Sequence, residues 1–333
     1  MKRETLHYER IKVKPIAGAL GAEISGVDAS KPLDTQTWSE VHRAFLDNLV
    51  IVFRDQHLDP FTMAAFAERF GPLTRVPYTN PGKEHPMVTY FLREADVPSS
   101  VRNVGDNWHS DQSPRERPSL GFALYCMECP EYGGDTLFAN QYLAYEALSD
   151  GLKATCDRLT LMHSASGKFG TDGKGTDGGF KPLSLGAGAE MKMDDEVKAS
   201  FAKETEHPLV IVHPDTGRKA LWVTGAYSIR FGGWTKAESK PLLDYLNNLV
   251  ARPEFTCRVR WQKGTLTVMD NRVTQHYALN DYEGFRRLVM RTEMDAAPPV
   301  GPAMPWLFSP WCHSTARMPW VNRACCTRHN IRP

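Results

Sequence analysis

Apolar positions along this 333-residue chain recur at two spacings, and each predicts a different element. Trp38, Val41, Phe45 and Leu49 fall on one face at helical spacing, which predicts a helix over residues 35–47. Asp59-Pro60 opens a second helix, with Asp as N-cap and Pro at the first helical position, ending at Gly71. Residues 141–159 and 236–250 read as further helices. Elsewhere the apolar runs are short. Residues 49–53 (Leu-Val-Ile-Val-Phe) have no polar break, as expected of a strand buried on both faces. Residues 13–24 read as strand, turn, strand. Further strands are expected at 122–125, 137–138, 208–212, 219–223, 256–261, 265–269 and 286–294. Gly133-Gly134-Asp135-Thr136 is the turn between two of them. Many short strands with few helices predict a mainly β protein, a sandwich or jelly-roll core with flanking helices.

Two stretches break this rhythm. Residues 164–189 are crowded with glycine and too long for an ordinary connector, so they read either as a lid or as a surface insertion. Residues 300–333 lack periodicity and are rich in Pro, Trp, Arg and Cys, an irregular tail. The expected organisation is one domain over residues 1–299 followed by that tail. Gly18 and Gly21 suggest tight turns, because the full GxGxxG fingerprint is absent and no helix follows.

Composition narrows the class. With 41% hydrophobic and 24% charged residues the chain reads as a soluble globular protein. A net charge of +1 gives no reason to expect a nucleic-acid partner. No apolar run approaches membrane-spanning length, and the N-terminal residues carry no apolar secretory core. Seven cysteines, an odd number without framework spacing, fit a reducing cytoplasm. Cys126 and Cys129 form a CxxC with no second CxxC to complete a zinc knuckle, and read as incidental or buried thiols.

The chemistry-bearing signal is His109-Ser110-Asp111, with His276 far downstream after a strong strand and the polar turn Asp270-Asn271-Arg272. In a strand, residues two apart share a face, so His109 and Asp111 could bind one metal while Ser110 points away. Two imidazoles and one carboxylate form the ligand set of non-haem Fe(II) oxygenases. Arg287 and Arg291 lie on one face of the last strand, opposite Arg286, and a guanidinium fork there would suit a carboxylate. From the residues alone, a zinc-type hydrolase using the same three ligands and a non-catalytic jelly-roll binding protein remain open.

With these motifs the chain resembles the taurine dioxygenase / 2,4-dichlorophenoxyacetate dioxygenase family of Fe(II)- and 2-oxoglutarate-dependent oxygenases. Four stretches carry the resemblance: residues 18–28, 106–111, 133–136, and 270–278 with Arg287 and Arg291. It spans about residues 8–298. It implies a double-stranded β-helix (jelly-roll, cupin-like) core. It implies Fe(II) held by His109, Asp111 and His276, with O2 and 2-oxoglutarate as co-substrates. The distal carboxylate of 2-oxoglutarate would meet Arg287, eleven residues past His276, and Thr136. Arg291 would lie near the anionic group of the primary substrate or the co-substrate, and Asp270 and Asn271 would support the site. Asp111 fills a position that related halogenases leave to chloride, which implies hydroxylation.

Val76 and Thr79 stand where taurine dioxygenase grips its substrate with histidine and tyrosine, and Gly105 replaces an asparagine, so taurine is not expected. Val76, Tyr78, Gln112, Trp222 and Tyr227 outline a more apolar pocket, similar to the aryloxyalkanoate branch, for an aryl or alkyl carboxylate or sulfonate. C–O or C–S cleavage could follow hydroxylation. The expected partners are this small organic acid and further copies of the chain, as a dimer or tetramer.

Overall fold

A computed structural model describes residues 7–75, 84–98, 105–169 and 195–302. The chain runs through β1 (Lys12–Pro15), β2 (Ala22–Ser25), α1 (Thr35–Asn48), β3 (Val50–Phe53), α2 (Pro60–Glu68), β4 (Leu73–Thr74), β5 (Thr89–Arg93), β6 (Ser119–Glu128) and β7 (Thr136–Asn140). It continues with α3 (Gln141–Glu146), α4 (Asp150–Cys156), β8 (Thr160–His163), α5 (Ser166–Phe169), α6 (Asp195–Ala202), β9 (Thr205–Pro208), β10 (Val210–Val212), β11 (Lys219–Leu221) and β12 (Ser228–Phe231). The last elements are α7 (Lys236–Val250), β13 (Thr256–Val259), β14 (Leu266–Asp270), β15 (Thr274–Ala278) and β16 (Arg287–Asp295).

The large sheet has the order β1-β2-β3-β14-β6-β16-β4, with β5 also paired to β16. A smaller sheet, β13-β7-β15, faces it. Alternation along β3 explains the arrangement. Ile51 and Phe53 pack with Val41, Ala44 and Phe45 of α1 and Met63, Phe66 and Ala67 of α2. Val50 and Val52 point the other way and pack with Phe138 of β7 and Cys257 and Val259 of β13. All four β3 residues are buried, which is why this strand shows no polar alternation. The core is therefore a jelly-roll of two facing sheets with helices outside the larger one, as the short-strand pattern predicted.

Two details differ from expectation. The helix predicted over residues 141–159 is two helices, because Ser149 turns out as an N-cap and accepts from the Leu152 N–H. His109 and Asp111 do not sit in a regular strand. His109 makes a single antiparallel bridge to His276, and the chain then turns, with Gln112 in the left-handed region (φ 57). Of the glycine-rich stretch at 164–189, residues 166–169 form α5, and the rest lies outside the described residues. The tail beyond residue 302 lies outside them too. Among the described residues no helix is long and apolar enough to cross a membrane.

The turn from β14 to β15 carries the chain from one sheet to the other and is built around buried charge. Asp270 is fully buried. Arg272 donates to it through Nε at 2.8 Å and Nη2 at 2.7 Å, and His213 Nε2 lies 2.9 Å from it. Burial alone would raise the Asp270 carboxyl, but the charge and hydrogen bonds of Arg272, aided by His213, hold it down to about 2. Its folded value lies below the unfolded one, so its contribution to stability is complete above about pH 4 and is lost as pH falls through about 2. Asp270→Ala leaves Arg272 with only Asp215, 3.0 Å away, and His213 without a carboxylate, and is expected to lower unfolding free energy by about 3 kcal/mol, the low end for a broken buried pair, in urea titrations at pH 7. The same titrations at pH 2 should show a smaller difference between variant and wild type.

Candidate active site

Backbone pairing brings the motif residues together. The His109 N–H donates to the His276 carbonyl at 3.1 Å, and the His276 N–H donates back to the His109 carbonyl at 2.8 Å. The side chains of His109, Asp111 and His276 converge, each offering a ligand atom within 4.8 Å of the others, and all three residues are buried. His109 Nε2 lies 3.5 Å from Asp111 Oδ1, and His276 Nε2 lies 3.7 Å from Asp111 Oδ2. Ser110 points away, as alternation predicted, and donates from its hydroxyl to the Thr274 carbonyl at 2.8 Å.

The surroundings set the state of each ligand. His109 Nδ1 lies 2.7 Å from the Asn107 carbonyl, which can only accept, so the proton sits on Nδ1 and the Nε2 lone pair faces Asp111. Asn271 grips Asp111 by its backbone. Its Oδ1 accepts the Asp111 N–H at 2.6 Å, and its Nδ2 donates to the carbonyls of Asp111 and Ser119, each at 2.9 Å. Burial would raise the Asp111 carboxyl, but the charge and hydrogen bond of Arg291 hold it well below the usual carboxylate range. The site therefore presents one carboxylate anion and imidazole nitrogens at close range, a donor set that fits a divalent metal ion.

Arg291 reaches two carboxylates of the protein. Its Nη2 donates to Asp111 Oδ2 at 2.6 Å and also to Glu293. Its guanidinium lies over the Phe122 ring, 4.5 Å from the centroid. Glu293 is buried, and burial pushes its carboxyl up to about 7 against the pull of Arg291. The sequence reading missed Glu293, although its spacing of two from Arg291 in a strand puts both on one face.

A second constellation lies around Trp261. The indole Nε1 donates to Thr136 Oγ1 at 3.0 Å, and the Arg287 guanidinium lies 5.7 Å from the ring centroid. Arg287 Nε is buried and has no hydrogen-bond partner among the described residues. An orphaned guanidinium nitrogen beside a threonine hydroxyl fits the carboxylate of a keto acid. Trp261 was read only as a strand end. Arg286 points the other way, paired with Glu94 and Glu128.

Of the pocket residues expected from the sequence, Gln112 and Tyr227 line a cavity of about 440 Å³. The Tyr227 ring lies 6.2 Å from that of His109, and Gln112 follows Asp111 in the chain, although no triad residue itself lines the cavity. Trp222 lies elsewhere. It packs in the buried cluster with Ile211, Ala220 and Phe138, and stacks on His163 at 6.3 Å. Val76, Tyr78 and Thr79 lie outside the described residues.

Comparison with known proteins identifies the family. Residues 12–292 match the family described as taurine catabolism dioxygenase TauD, TfdA family. The chain belongs to that family. It is 36% identical to an alkylsulfatase of Acinetobacter baylyi, over 85% of this chain and 84% of that protein. It is 34% identical to an alpha-ketoglutarate-dependent sulfate ester dioxygenase of Pseudomonas putida, over 89% of this chain and 93% of that protein. The crystal structure of a taurine dioxygenase from Burkholderia xenovorans superposes with a TM-score of 0.70 at 32% identity, covering 88% of this chain and 94% of that one.

Asn271→Ala removes every side-chain hydrogen bond that fixes the Asp111 backbone from this residue. It is expected to weaken Mn(II) binding, measured by calorimetry, about 10–100-fold, as for outer-shell residues that orient a ligand.

Proposed function

We propose that this protein is an Fe(II)- and 2-oxoglutarate-dependent dioxygenase that hydroxylates a small anionic organic substrate, releasing succinate and CO2. The observation that carries this reading is the pairing of the buried His109-Asp111-His276 cluster with the Thr136-Trp261-Arg287 constellation. A zinc-type hydrolase would use the cluster but give the second constellation no task.

In this reading His109 and His276 bind the metal through Nε2 and Asp111 through its carboxylate. The Asn107 carbonyl keeps the His109 proton on Nδ1, and Asn271 keeps Asp111 facing the imidazoles. Arg287 and Thr136 neutralise and orient the far carboxylate of 2-oxoglutarate, while Trp261 holds the threonine in place. When bound, Fe(II) with 2-oxoglutarate and O2 supplies the oxidising power for C–H hydroxylation. Gln112 and Tyr227 place the primary substrate beside the cluster. The substrate class takes in aryl and alkyl carboxylates and sulfonates and, from the names of the two relatives, sulfate esters. Hydroxylation of the carbon bearing an ester or sulfonate oxygen or sulfur would be followed by C–O or C–S cleavage. The cysteines at 126, 129, 156 and 257 form no disulfide among the described residues, which supports a reducing, cytoplasmic setting.

Anaerobic addition of Fe(II) and 2-oxoglutarate is expected to produce a weak visible charge-transfer band that vanishes in His109→Ala. No band, together with no O2-dependent succinate from any acid tested, would refute the proposal. Arg287→Ala is expected to weaken 2-oxoglutarate binding by about 2–5 kcal/mol, because it removes a buried charge-assisted contact. Unchanged co-substrate affinity would rule that role out.

A further inference from the structure

Cys126 and Cys129, at the end of β6, take no part in this chemistry. In a regular strand residues three apart face opposite sides. A bulge changes that here. β6 pairs with β16 through Cys126 and Val289 and through Glu128 and Leu288, so Met127 is an extra residue on β6. Tyr125 and Met127 pack with the cluster that holds Phe53 and Met63. Cys126 lies on the other face with Trp261 and Val289, and the bulge returns Cys129 to that same group. The two thiols meet there and share a hydrogen bond.

Their neighbours belong to the second constellation. Trp261 is the residue whose indole donates to Thr136, and the Arg287 guanidinium lies 5.7 Å from its ring centroid. The charge of Arg287 also acts on the Cys126 thiol. The dithiol is therefore packed behind the groups that fit the keto acid. Its two sulfurs differ in access, since Cys126 is buried and Cys129 is half-buried. Burial, with Cys129 beside it, pushes the Cys126 thiol up to about 12, so it stays protonated near neutral pH and is shielded from direct attack. Cys129 is the sulfur that a small oxidant reaches.

We propose that Cys126 and Cys129 are a modification site: a peroxide oxidises them to a disulfide, and the bond weakens the hold of the neighbouring constellation on 2-oxoglutarate. The Cys129 sulfur attacks the O–O bond of hydrogen peroxide, giving a sulfenic acid and one water. The Cys126 sulfur then attacks the Cys129 sulfur. The S–S bond forms, the S–O bond breaks, and the hydroxide leaves as a second water with the Cys126 proton. Two thiols have lost two electrons to one peroxide, and a dithiol reductant reverses the change.

A hydrogen bond leaves the sulfurs in van der Waals contact, whereas a disulfide holds them about 2 Å apart. Closing the bond therefore draws the end of β6 inward. The Cys126 N–H donates to the Thr265 carbonyl and the Gly264 N–H donates to the Cys126 carbonyl, each at 2.9 Å. These bonds tie β6 to the segment just after Trp261, and a close-packed interior passes the pull on to the indole, Thr136 and Arg287. The effect on 2-oxoglutarate rests on the dioxygenase reading, but the disulfide does not.

In the test, the full chain is treated with hydrogen peroxide, cleared with catalase, loaded with Mn(II) and titrated with 2-oxoglutarate in a calorimeter. Mass spectrometry of the alkylated, unreduced chain maps the bridge in parallel. A Cys126–Cys129 disulfide is expected, with 2-oxoglutarate affinity lowered about tenfold or more, as when a group supporting a bound ligand is displaced. Dithiothreitol should restore it. Cys129→Ser and Cys129→Ala are expected to bind 2-oxoglutarate as reduced wild type does, and to keep that affinity through the same peroxide treatment.

The proposal falls if peroxide leaves the two thiols unbridged, or if the bridged chain binds 2-oxoglutarate as tightly as the reduced one. It falls equally if both Cys129 variants lose affinity to peroxide as wild type does. Reduced wild type that binds Mn(II) but no 2-oxoglutarate would instead sink the dioxygenase reading. The thiol site is then judged by the mapped bridge and by hydrogen exchange at the Cys126 and Gly264 amides: faster exchange in the bridged chain supports it, and unchanged exchange refutes it.

Discussion

The reciprocal hydrogen bonds between the backbones of His109 and His276 are the constraint on which the rest of the site depends. The two histidines are far apart in sequence, and nothing local draws their side chains together. One antiparallel bridge does so, and it joins β15 to the segment ahead of β6. A full strand at His109 would have carried Asp111 onward along the sheet. Instead the chain turns at Gln112, in a left-handed conformation that a non-glycine residue adopts at some cost, and Asn271 secures the turned backbone with three hydrogen bonds. Position thus comes from the main chain and its amide clamp, and the ligand side chains need only rotate into place.

Buried charge is the second organising factor. Asp111, Arg291 and Glu293 form one compensated set, and Asp270, Arg272 and His213 form another on the connecting turn. Isolated charges at this depth would be costly, but each carboxylate has a cation in contact. Arg287 differs because no carboxylate among the described residues pairs with it, and its buried Nε has no hydrogen-bond partner among them. Exposure alone could not make that distinction, since Arg291 and Arg287 lie on the same strand.

The sequence made the framework legible wherever a local rule operated. The apolar run of β3 declared burial on both faces, the amphipathic spacing of α1 and the span of α7 were read within about one residue, and four short motifs located the cluster. It was less legible where tertiary contacts decide. Ser149 looked like one more helical residue until its hydroxyl was seen to cap α4. Trp222 looked like a pocket aromatic, but it is buried in a core cluster and stacks on His163. Trp261 acquires meaning only because Thr136 and Arg287, from distant segments, meet at its ring. Glu293 was within reach of strand alternation, yet a single glutamate on a strand does not reveal that its partner also holds a metal-binding aspartate.

Metal-cluster geometry by itself would be compatible with several chemistries, because two imidazoles and a carboxylate bind zinc as readily as iron. What narrows the choice is the distribution of unsatisfied donors around the cluster. Within a well-packed core most polar groups find partners, so a buried nitrogen that lacks one marks where a ligand completes the structure. Arg287, beside Thr136 and Trp261, is such a point. A hydrolase built on the same three ligands gives that guanidinium no task, whereas an oxygenase that consumes a dicarboxylic keto acid needs a cation for the far carboxylate, so this constellation argues for the oxygenase more strongly than the ligand triad does.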